Sequence, residues 1–199
     1  ATAEVVLNQL FRFTPMQTYF GCNMLALNGG RPEQLTLRSF LTNFIAFRED
    51  VVARRTAFEL RKARERSHIL CGLAAAVSNV DEVVATIRSS VDAADARSKL
   101  MKRAWPAEEI LEYIKLIDDP THPVNADGTY HLSEVQARAI LELRLQRLTQ
   151  IGVKEVTDEL QELAGKIREY LEILGSRDRI MAIITDELNS VKEQFAVPR

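Results

Sequence analysis

Glycine and proline are both scarce in this chain, whose 199 residues include eight glycines and six prolines. That scarcity permits long uninterrupted helices and argues against an all-β fold, which needs turn residues at short intervals. Cysteine is scarcer still. Cys22 and Cys71 lie in apolar surroundings without metal-ligand spacing, so we interpret both as reduced core residues of a cytoplasmic protein. No apolar run approaches the ~20 residues of a membrane span, and we expect neither a signal peptide nor a membrane partner.

Motifs for catalysis and metal binding are also missing. The chain has no Gly-rich phosphate loop, no His-Glu-x-x-His, no paired CxxC and no nucleophile elbow. His68 lies in a long predicted helix, where a packing or surface role is expected rather than a catalytic one. One loop carries Asp118, Asp119, His122 and Asp127, but helix termination and turn formation explain these residues without a cation. We therefore predict no catalytic residue, no cofactor and no metal.

The most regular pattern of the chain runs from residue 153 to residue 174. Apolar residues recur every ~3.5 positions with charged residues between them, which is the spacing of a coiled-coil seam. They are Val153, Val156, Leu160, Leu163, Ile167, Tyr170 and Leu174. A stripe this narrow needs a partner helix, and residues 48–79, which contain no proline and only Gly72, form the natural partner.

Shorter elements surround these two segments. A first helix ends at Thr14-Pro15, a β-hairpin turns at residues 28–32, and Thr36 caps the helix that follows. Short helices fill residues 81–117, one of them capped by Asp92 and another beginning at Pro106. A capping box at residues 133–136 begins a helix to about Leu148. A break at residues 175–176 precedes a last helix. The predicted fold is mainly α: a long antiparallel two-helix coiled coil, a helical globular head and a small β-hairpin.

Two segments keep alternative interpretations. Residues 48–66 carry seven basic and four acidic side chains, a local charge of +3 in a chain whose net charge is −2. Charge alone favours a solvated arm with i,i+4 ion pairs over a wall that faces a polyanion. The helix of residues 132–148 is apolar around more than half its circumference. It lies either at the centre of the head or against a second protein chain.

Four segments resemble the A subunits of bacterial DNA gyrase, which are type IIA topoisomerases. They are residues 19–27 (YFGCNMLAL), 54–70 (RRTAFELRKARERSHIL), 132–149 (LSEVQARAILELRLQRLT) and 174–180 (LGSRDRI). The stretch FELRKAR favours gyrase over its paralogue, topoisomerase IV. The Ala-Arg-Tyr sequence that links DNA in that family is absent, and none of the four tyrosines takes its role.

The resemblance implies four regions: 1–47, part of the tower with the β-hairpin; 48–79, the outgoing coiled-coil arm; 80–152, the exit-gate head; and 153–199, the returning arm. It implies a homodimer formed through the head. The expected interface residues are Gln136, Ala139, Ile140, Leu143 and Arg144. Arg54, Arg55, Arg61 and Lys62 are the possible DNA-facing residues.

The parent enzyme implied by the resemblance is an ATP-dependent type II topoisomerase that supercoils double-stranded DNA. It works as an A2B2 complex with the B subunit of gyrase, which binds the ATP. Without the catalytic tyrosine, this chain alone is expected to be inactive. The alternative hypothesis is a structural hinge-type dimerisation module with no topoisomerase role. Such a hinge would be richer in glycine and strands. A helical enzyme has no nucleophile or metal set to support it.

Overall fold

The computed structural model describes residues 2–106, 110–117, 124–125, 128–142 and 153–197. Its described residues are mainly helical, which confirms the predicted fold class. The helices are α1 (Ala3–Phe13), α2 (Leu37–Ser78), α3 (Val80–Arg88), α4 (Ala93–Lys102), α5 (Leu111–Ile117), α6 (Glu134–Glu142), α7 (Val153–Gly175) and α8 (Arg177–Phe195). The strands are β1 (Leu25–Asn28), β2 (Arg31–Gln34), β3 (Ala104–Pro106) and β4 (Thr129–His131). The chain divides into two compact units, Ala1–Arg48 and Glu49–Arg199.

The first unit contains the predicted β-hairpin. Strands β1 and β2 pair antiparallel, and Asn28 lies opposite Arg31 across the turn. Gly29 and Gly30 both have positive φ angles, 57° and 82°. A two-residue turn of this kind favours glycine at both positions, because side chains with a Cβ rarely adopt positive φ.

Helix α2 begins where the sequence predicted an N-cap. The backbone N–H of Ser39 donates to Oγ1 of Thr36 over 3.2 Å, which satisfies one donor of the first turn. The described residues of this unit include none that is buried. Apolar side chains of α1 and of the first turns of α2 are exposed, including Phe13, Phe40 and Phe47. The described part of this unit thus has no hydrophobic core of its own.

The second unit contains the predicted coiled coil. Residues 49–78 of α2 run antiparallel to α7, because Arg66 contacts Glu159 at 2.8 Å whereas Glu49 contacts Arg177, just after α7, at 2.7 Å. These two ion pairs are about five helical turns, or ~25 Å, apart on each side. Helix α8 then turns back and runs in the direction of α2, since its Glu187 contacts Arg55. We call residues 49–78 the outgoing arm, and α7 with α8 the returning arm.

The heptad residues of α7 form its buried face. Val156, Leu160 and Ile167 are buried, and Leu163, Tyr170 and Leu174 pack against the same apolar clusters. Ile167 contacts the arm cluster of Leu60 and Ala63, while Val156 and Leu160 join the larger core of the head. The apolar stripe therefore buries itself against the outgoing arm at one end and against the head at the other.

Elements α3 to α6 with β3 and β4 form the head. Its core is built around Trp105 and Tyr130, which lie opposite each other across the β3–β4 pair and are almost fully buried. The indole Nε1–H of Trp105 donates to the backbone carbonyl of Leu100 over 3.0 Å. Asp92 caps α4 as its sequence suggested, since its Oδ1 accepts from the Asp95 backbone N–H over 2.7 Å.

Two predictions, for Pro106 and Cys22, are wrong, and one falls on residues that the structure does not describe. Pro106 is the last residue of β3, opposite Thr129, and does not begin a helix; a short strand also tolerates proline at its end. The β3–β4 pair was not predicted, because three-residue strands leave too little alternation to detect. Cys22 is exposed, whereas Cys71 is buried as expected. Residues 143–152, which include the predicted end of the 132–148 helix, lie outside the described residues.

Among the described helices, no single one combines the length and apolar character of a membrane span. The bent pair Leu37–Ser78 and Val80–Arg88 meets those criteria only when both helices are counted together across a 90° bend.

Candidate functional site

A buried polar network joins the outgoing arm to the first turn of α6. The predicted capping box is present: the backbone N–H of Gln136 donates to Oγ of Ser133 over 3.2 Å, and the backbone N–H of Ser133 donates to Oε1 of Gln136 over 2.9 Å. Oε1 of Gln136 also accepts from the Tyr130 hydroxyl over 3.1 Å. The hydroxyl of Ser133 lies 2.8 Å from Nε2 of His68, on the arm. His68 thus has the packing role that the sequence suggested.

Gln136 makes the second link to the arm. Its Nε2 donates to the backbone carbonyl of His68 over 2.6 Å. Its side chain also packs on Gly72, where an added Cβ would lie 2.6 Å from Cβ and Cγ of Gln136. A side chain at position 72 would therefore force the two helices apart. We call the cluster of His68, Gly72, Tyr130, Ser133 and Gln136 the joint.

The predicted interface residues fall into three groups. Gln136 and Ile140 are completely buried inside the chain, so they support α6 from within and do not form its surface. Ala139 is half-buried at the edge of that surface. Leu143 and Arg144 lie outside the described residues. The helical spacing explains the burial, because Gln136 and Ile140 are four residues apart and share the face that points to the core.

The outward face of α6 is amphipathic. Val135 is its large exposed apolar side chain, with 57% of its surface accessible. Charged residues flank it, and Glu134 receives hydrogen bonds from both Arg97, at 3.0 Å, and Arg138, at 3.2 Å.

The possible DNA-facing residues have different surroundings on the outgoing arm. Arg54 pairs with Asp50 at 3.1 Å and Arg61 with Glu65 at 4.0 Å, both along the helix. Nζ of Lys62 lies 4.8 Å from the centre of an aromatic ring on the same helix, that of Phe58. Because positions 54, 61 and 62 follow helical spacing, these three cations share one exposed face.

Arg55 has a different role, as a link between the arms. Its guanidinium lies 2.6 Å from the carboxylate of Glu187 on α8. Arg66 forms two hydrogen bonds to Glu159 on α7, 2.8 and 3.2 Å long. These two members of the basic cluster that the sequence singled out thus hold the arms together. Charge counting does not reveal such ion pairs between helices.

The remaining ionisable groups give no catalytic constellation in the described ranges. Burial raises the pKa of the Cys71 thiol to about 12, which makes the thiolate inaccessible near neutral pH. The hydrogen bond from Arg177 holds the pKa of the Glu49 carboxyl below its ordinary value, and the same pair raises the pKa of Arg177. In the described part of the chain, no group of His, Cys, Asp and Glu side chains could hold a metal ion.

The sequence predicts the capping box but not the joint. Gly72 is an isolated glycine in a long predicted helix, and Tyr130 lies in a segment without a recognisable pattern. A glycine in the middle of a helix costs ~1 kcal/mol relative to alanine, which favours a packing reason for Gly72. Gly165 of α7 has no atom within 4 Å of an added Cβ, so a glycine inside a helix does not by itself identify a close approach.

Comparison with known proteins covers nearly the whole chain. A family model for the A subunits of DNA gyrase and topoisomerase IV matches residues 1–189. The DNA gyrase A subunit of Granulibacter bethesdensis is 51% identical over 199 residues, which is 100% of this chain and 21% of that protein. The corresponding protein of Rickettsia conorii is 48% identical over 197 residues (99% and 22%), and that of Haemophilus influenzae is 45% identical over 206 residues (100% and 23%).

The chain thus spans about a fifth of the length of the curated relatives it matches. A sequence identity of about one half, over 99–100% of this chain, excludes a chance resemblance. The chain belongs to the family formed by the A subunits of DNA gyrase and topoisomerase IV.

Proposed function

We propose that this chain is the non-catalytic exit gate and dimerisation part of a DNA gyrase A subunit. In this proposal the head holds two A subunits together while DNA is broken elsewhere in the parent protein. The two arms set the head at a distance from the cutting site and border the space through which a second duplex passes.

The paired arms that lead into the apolar core of the head are the observation that carries the proposal. Ion pairs join the arms, among them Glu49 with Arg177 and Arg66 with Glu159. The apolar cluster around Trp105 includes side chains of both arms, so the arms are packed into the head. Two helices that support each other form a stiffer strut than a single helix, because each buries its apolar stripe on the other. Such a strut suits a part that must transmit movement between a gate and the rest of an enzyme.

Helix α6 is the proposed contact surface. A two-fold axis brings the same surface of both copies together, so a short helix with one exposed apolar residue can contact its own twin. Val135, Arg138 and Ala139 form the described part of this surface. Leu143 and Arg144 extend the proposal along the sequence. Gln136 and Ile140 contribute by fixing the position of the helix from inside.

The same proposal covers the parent protein. In it, the parent protein is an ATP-dependent type II topoisomerase that supercoils double-stranded DNA as an A2B2 complex in the cytoplasm, with the ATP bound by the gyrase B subunit. Family membership supports this assignment over a hinge-type module without a topoisomerase role. The absence of an Ala-Arg-Tyr sequence supports the inactivity of this chain alone.

We also propose that the shared face of Arg54, Arg61 and Lys62 lies toward the transported duplex. Exposure on one helical face supports this role. Asp50 and Glu65 lie next to these cations, so the binding is weak and depends on salt. Weak binding suits a duplex that must pass through.

The contact surface can be tested with two matched valines of the head. Val135 lies on α6, whereas Val91, 94% exposed, precedes α4. We expect Val135→Glu to shift the chain from dimer to monomer in size-exclusion chromatography with light scattering, and Val91→Glu to leave it dimeric. Equal behaviour of the two variants would contradict the proposed surface. Ile140→Glu is unsuitable, because it would place a charge in the core.

Activity provides the second test. The chain, with Mg²⁺ and ATP, is mixed with supercoiled plasmid, and DNA topology is followed on agarose gels. We expect neither nicking nor relaxation, and either result would show a catalytic centre that the proposal excludes.

A further inference from the structure

The joint combines two kinds of interaction that act differently on α6. Ala137 and Ile140 hold the helix through apolar packing, which is non-directional and tolerates small rotations. Gln136 holds it through hydrogen bonds, which weaken steeply when their angles change. Both hydrogen bonds to Oε1 and the one from Nε2 of this side chain are made inside the chain.

These hydrogen bonds reach three different elements. Oε1 of Gln136 accepts from Tyr130 in β4 and from the N-cap of α6, and Nε2 donates to the carbonyl of His68 in α2. The His68 ring also contacts Ser133, so the first turn of α6 is tied to the same turn of the arm twice. Gly72 lets the helices approach closely enough for these bonds to form.

We propose that Gln136 is a positioning residue that fixes the angle between α6 and the outgoing arm, so that the dimer-forming helix moves with the arm as one body. This inference rests on the proposed function for its consequence, because it assigns a mechanical role to the helix that carries the gate surface. The gate then opens by separation of two whole arm-and-head bodies, and α6 does not swing about its first turn.

The angle has a direct consequence for association. A two-fold interface forms only when both copies present α6 at the same orientation. If the angle were free, only a fraction of the molecules would be competent to associate. Because both copies must be competent, the apparent dissociation constant would rise by the inverse square of that fraction. A competent fraction of one tenth in each chain would weaken association by ~100-fold.

The experiment measures the angle through the distribution of one distance. Spin labels are placed at Arg61→Cys on α2 and Arg138→Cys on α6, both exposed positions, in a Cys22→Ser background. Labelled chain is diluted with excess unlabelled chain, so that only distances within one chain are recorded by pulsed electron paramagnetic resonance. The unmodified joint should give a single narrow distribution.

Gln136→Met removes the hydrogen bonds and keeps an unbranched side chain of similar length. We expect its distance distribution to be at least about twice as wide, with unchanged helix content by circular dichroism. Gln136→Asn, which keeps the amide but is one methylene too short to reach His68, should broaden it in the same way and serves if the first variant does not fold. Gln161→Met, an equal change at an exposed site on α7, should leave the width unchanged.

A lower Tm with an unchanged width in the folded Gln136 variants would overturn the proposal, since it would make Gln136 a merely stabilising residue. The dissociation constant of the dimer is measured by sedimentation on Gln136 variants without spin labels, which keep Arg61 and Arg138. If the unmodified chain does not dimerise at all, the proposed gate fails. The distance distribution still tests the joint in that case, so the two failures can be distinguished.

Discussion

Gly72 in the outgoing arm lies so close to Gln136 in α6 that a Cβ at position 72 would be 2.6 Å from two carbon atoms of the Gln136 side chain. Carbon atoms do not approach to that distance without displacement. The arm and the head therefore meet at a point where only glycine fits on the arm. The same glutamine then directs its polar atoms to the arm backbone, the head strand and its own helix cap.

Gly72→Ala should destabilise the chain despite the higher helix propensity of alanine. The methyl group gains ~1 kcal/mol in the helix but overpacks the joint, which typically costs ~1–3 kcal/mol and more where the displaced atoms are buried. We expect a net loss of ~1–2 kcal/mol in the free energy of unfolding. Urea denaturation followed by circular dichroism measures it.

Gly165→Ala is the matched control for that variant. Gly165 also lies inside a long helix, α7, but a Cβ there would meet no atom within 4 Å. The chain should gain ~0.5–1 kcal/mol from the same substitution at this position. If Gly72→Ala lowers the free energy of unfolding and Gly165→Ala raises it, the destabilisation arises in the joint. A change of the same sign in both variants would contradict the close approach of Gly72 and Gln136.

The sequence predicted the helical part of the fold because its periodic signals were long. The heptads of α7, the Thr36 and Asp92 caps and the break after Gly175 all correspond to described features. Strands β3 and β4 were missed, because three residues give no usable period and their stability comes from the packing of Trp105 on Tyr130. Tertiary packing determined these strands, and local preference did not.

The candidate site was harder to predict than the fold. Periodicity identified α6 as an apolar helix, but it could not decide which side faced the core, and the resemblance placed Gln136 at a dimer interface. In the structure its polarity is satisfied by buried partners. Similarly, Arg55 and Arg66 belong to a run of basic residues in the sequence, and only the fold brings Glu187 and Glu159 to them.

Glu49→Gln should lower stability in a pH-dependent way. The hydrogen bond from Arg177 lowers the pKa of Glu49, so the ionised carboxylate is favoured in the folded chain. Its contribution to stability is present above the unfolded pKa, near 4.5, and is lost as the pH falls through the lower folded value. Thermal melts should show a lower Tm for the variant at pH 7 and a smaller difference at pH 3. Glu193→Gln, at an exposed carboxylate of α8, is the control, and a difference independent of pH would exclude this pair as the cause.

The two cysteines should differ sharply in reactivity. Cys22 is exposed, whereas Cys71 is buried and has a pKa raised to about 12. Iodoacetamide at pH 8 should modify the folded chain once, at Cys22, because alkylation requires an accessible thiolate. Mass spectrometry of the folded and the urea-unfolded chain measures this, and two modifications in the folded chain would show that the head core opens readily.

The exposed cations of the outgoing arm should give the chain a weak, salt-dependent affinity for duplex DNA. Arg61→Glu with Lys62→Glu should weaken binding by at least ~10-fold at low salt and reduce the salt slope by ~1 for each phosphate interaction that the variant removes. Fluorescence anisotropy with a labelled 30-bp duplex measures both quantities. Lys154→Glu with Lys192→Glu changes the net charge equally on the returning arm, and an equal weakening there would indicate a general charge effect.

The self-association of the head is the central claim, and sedimentation equilibrium of the unmodified chain tests it most directly. Interfaces of moderate size have dissociation constants that a concentration range of ~1 to ~100 μM can detect. Over this range the fitted mass should rise to twice the 22.5 kDa of one chain. A mass of 22.5 kDa at every concentration would contradict the exit-gate assignment.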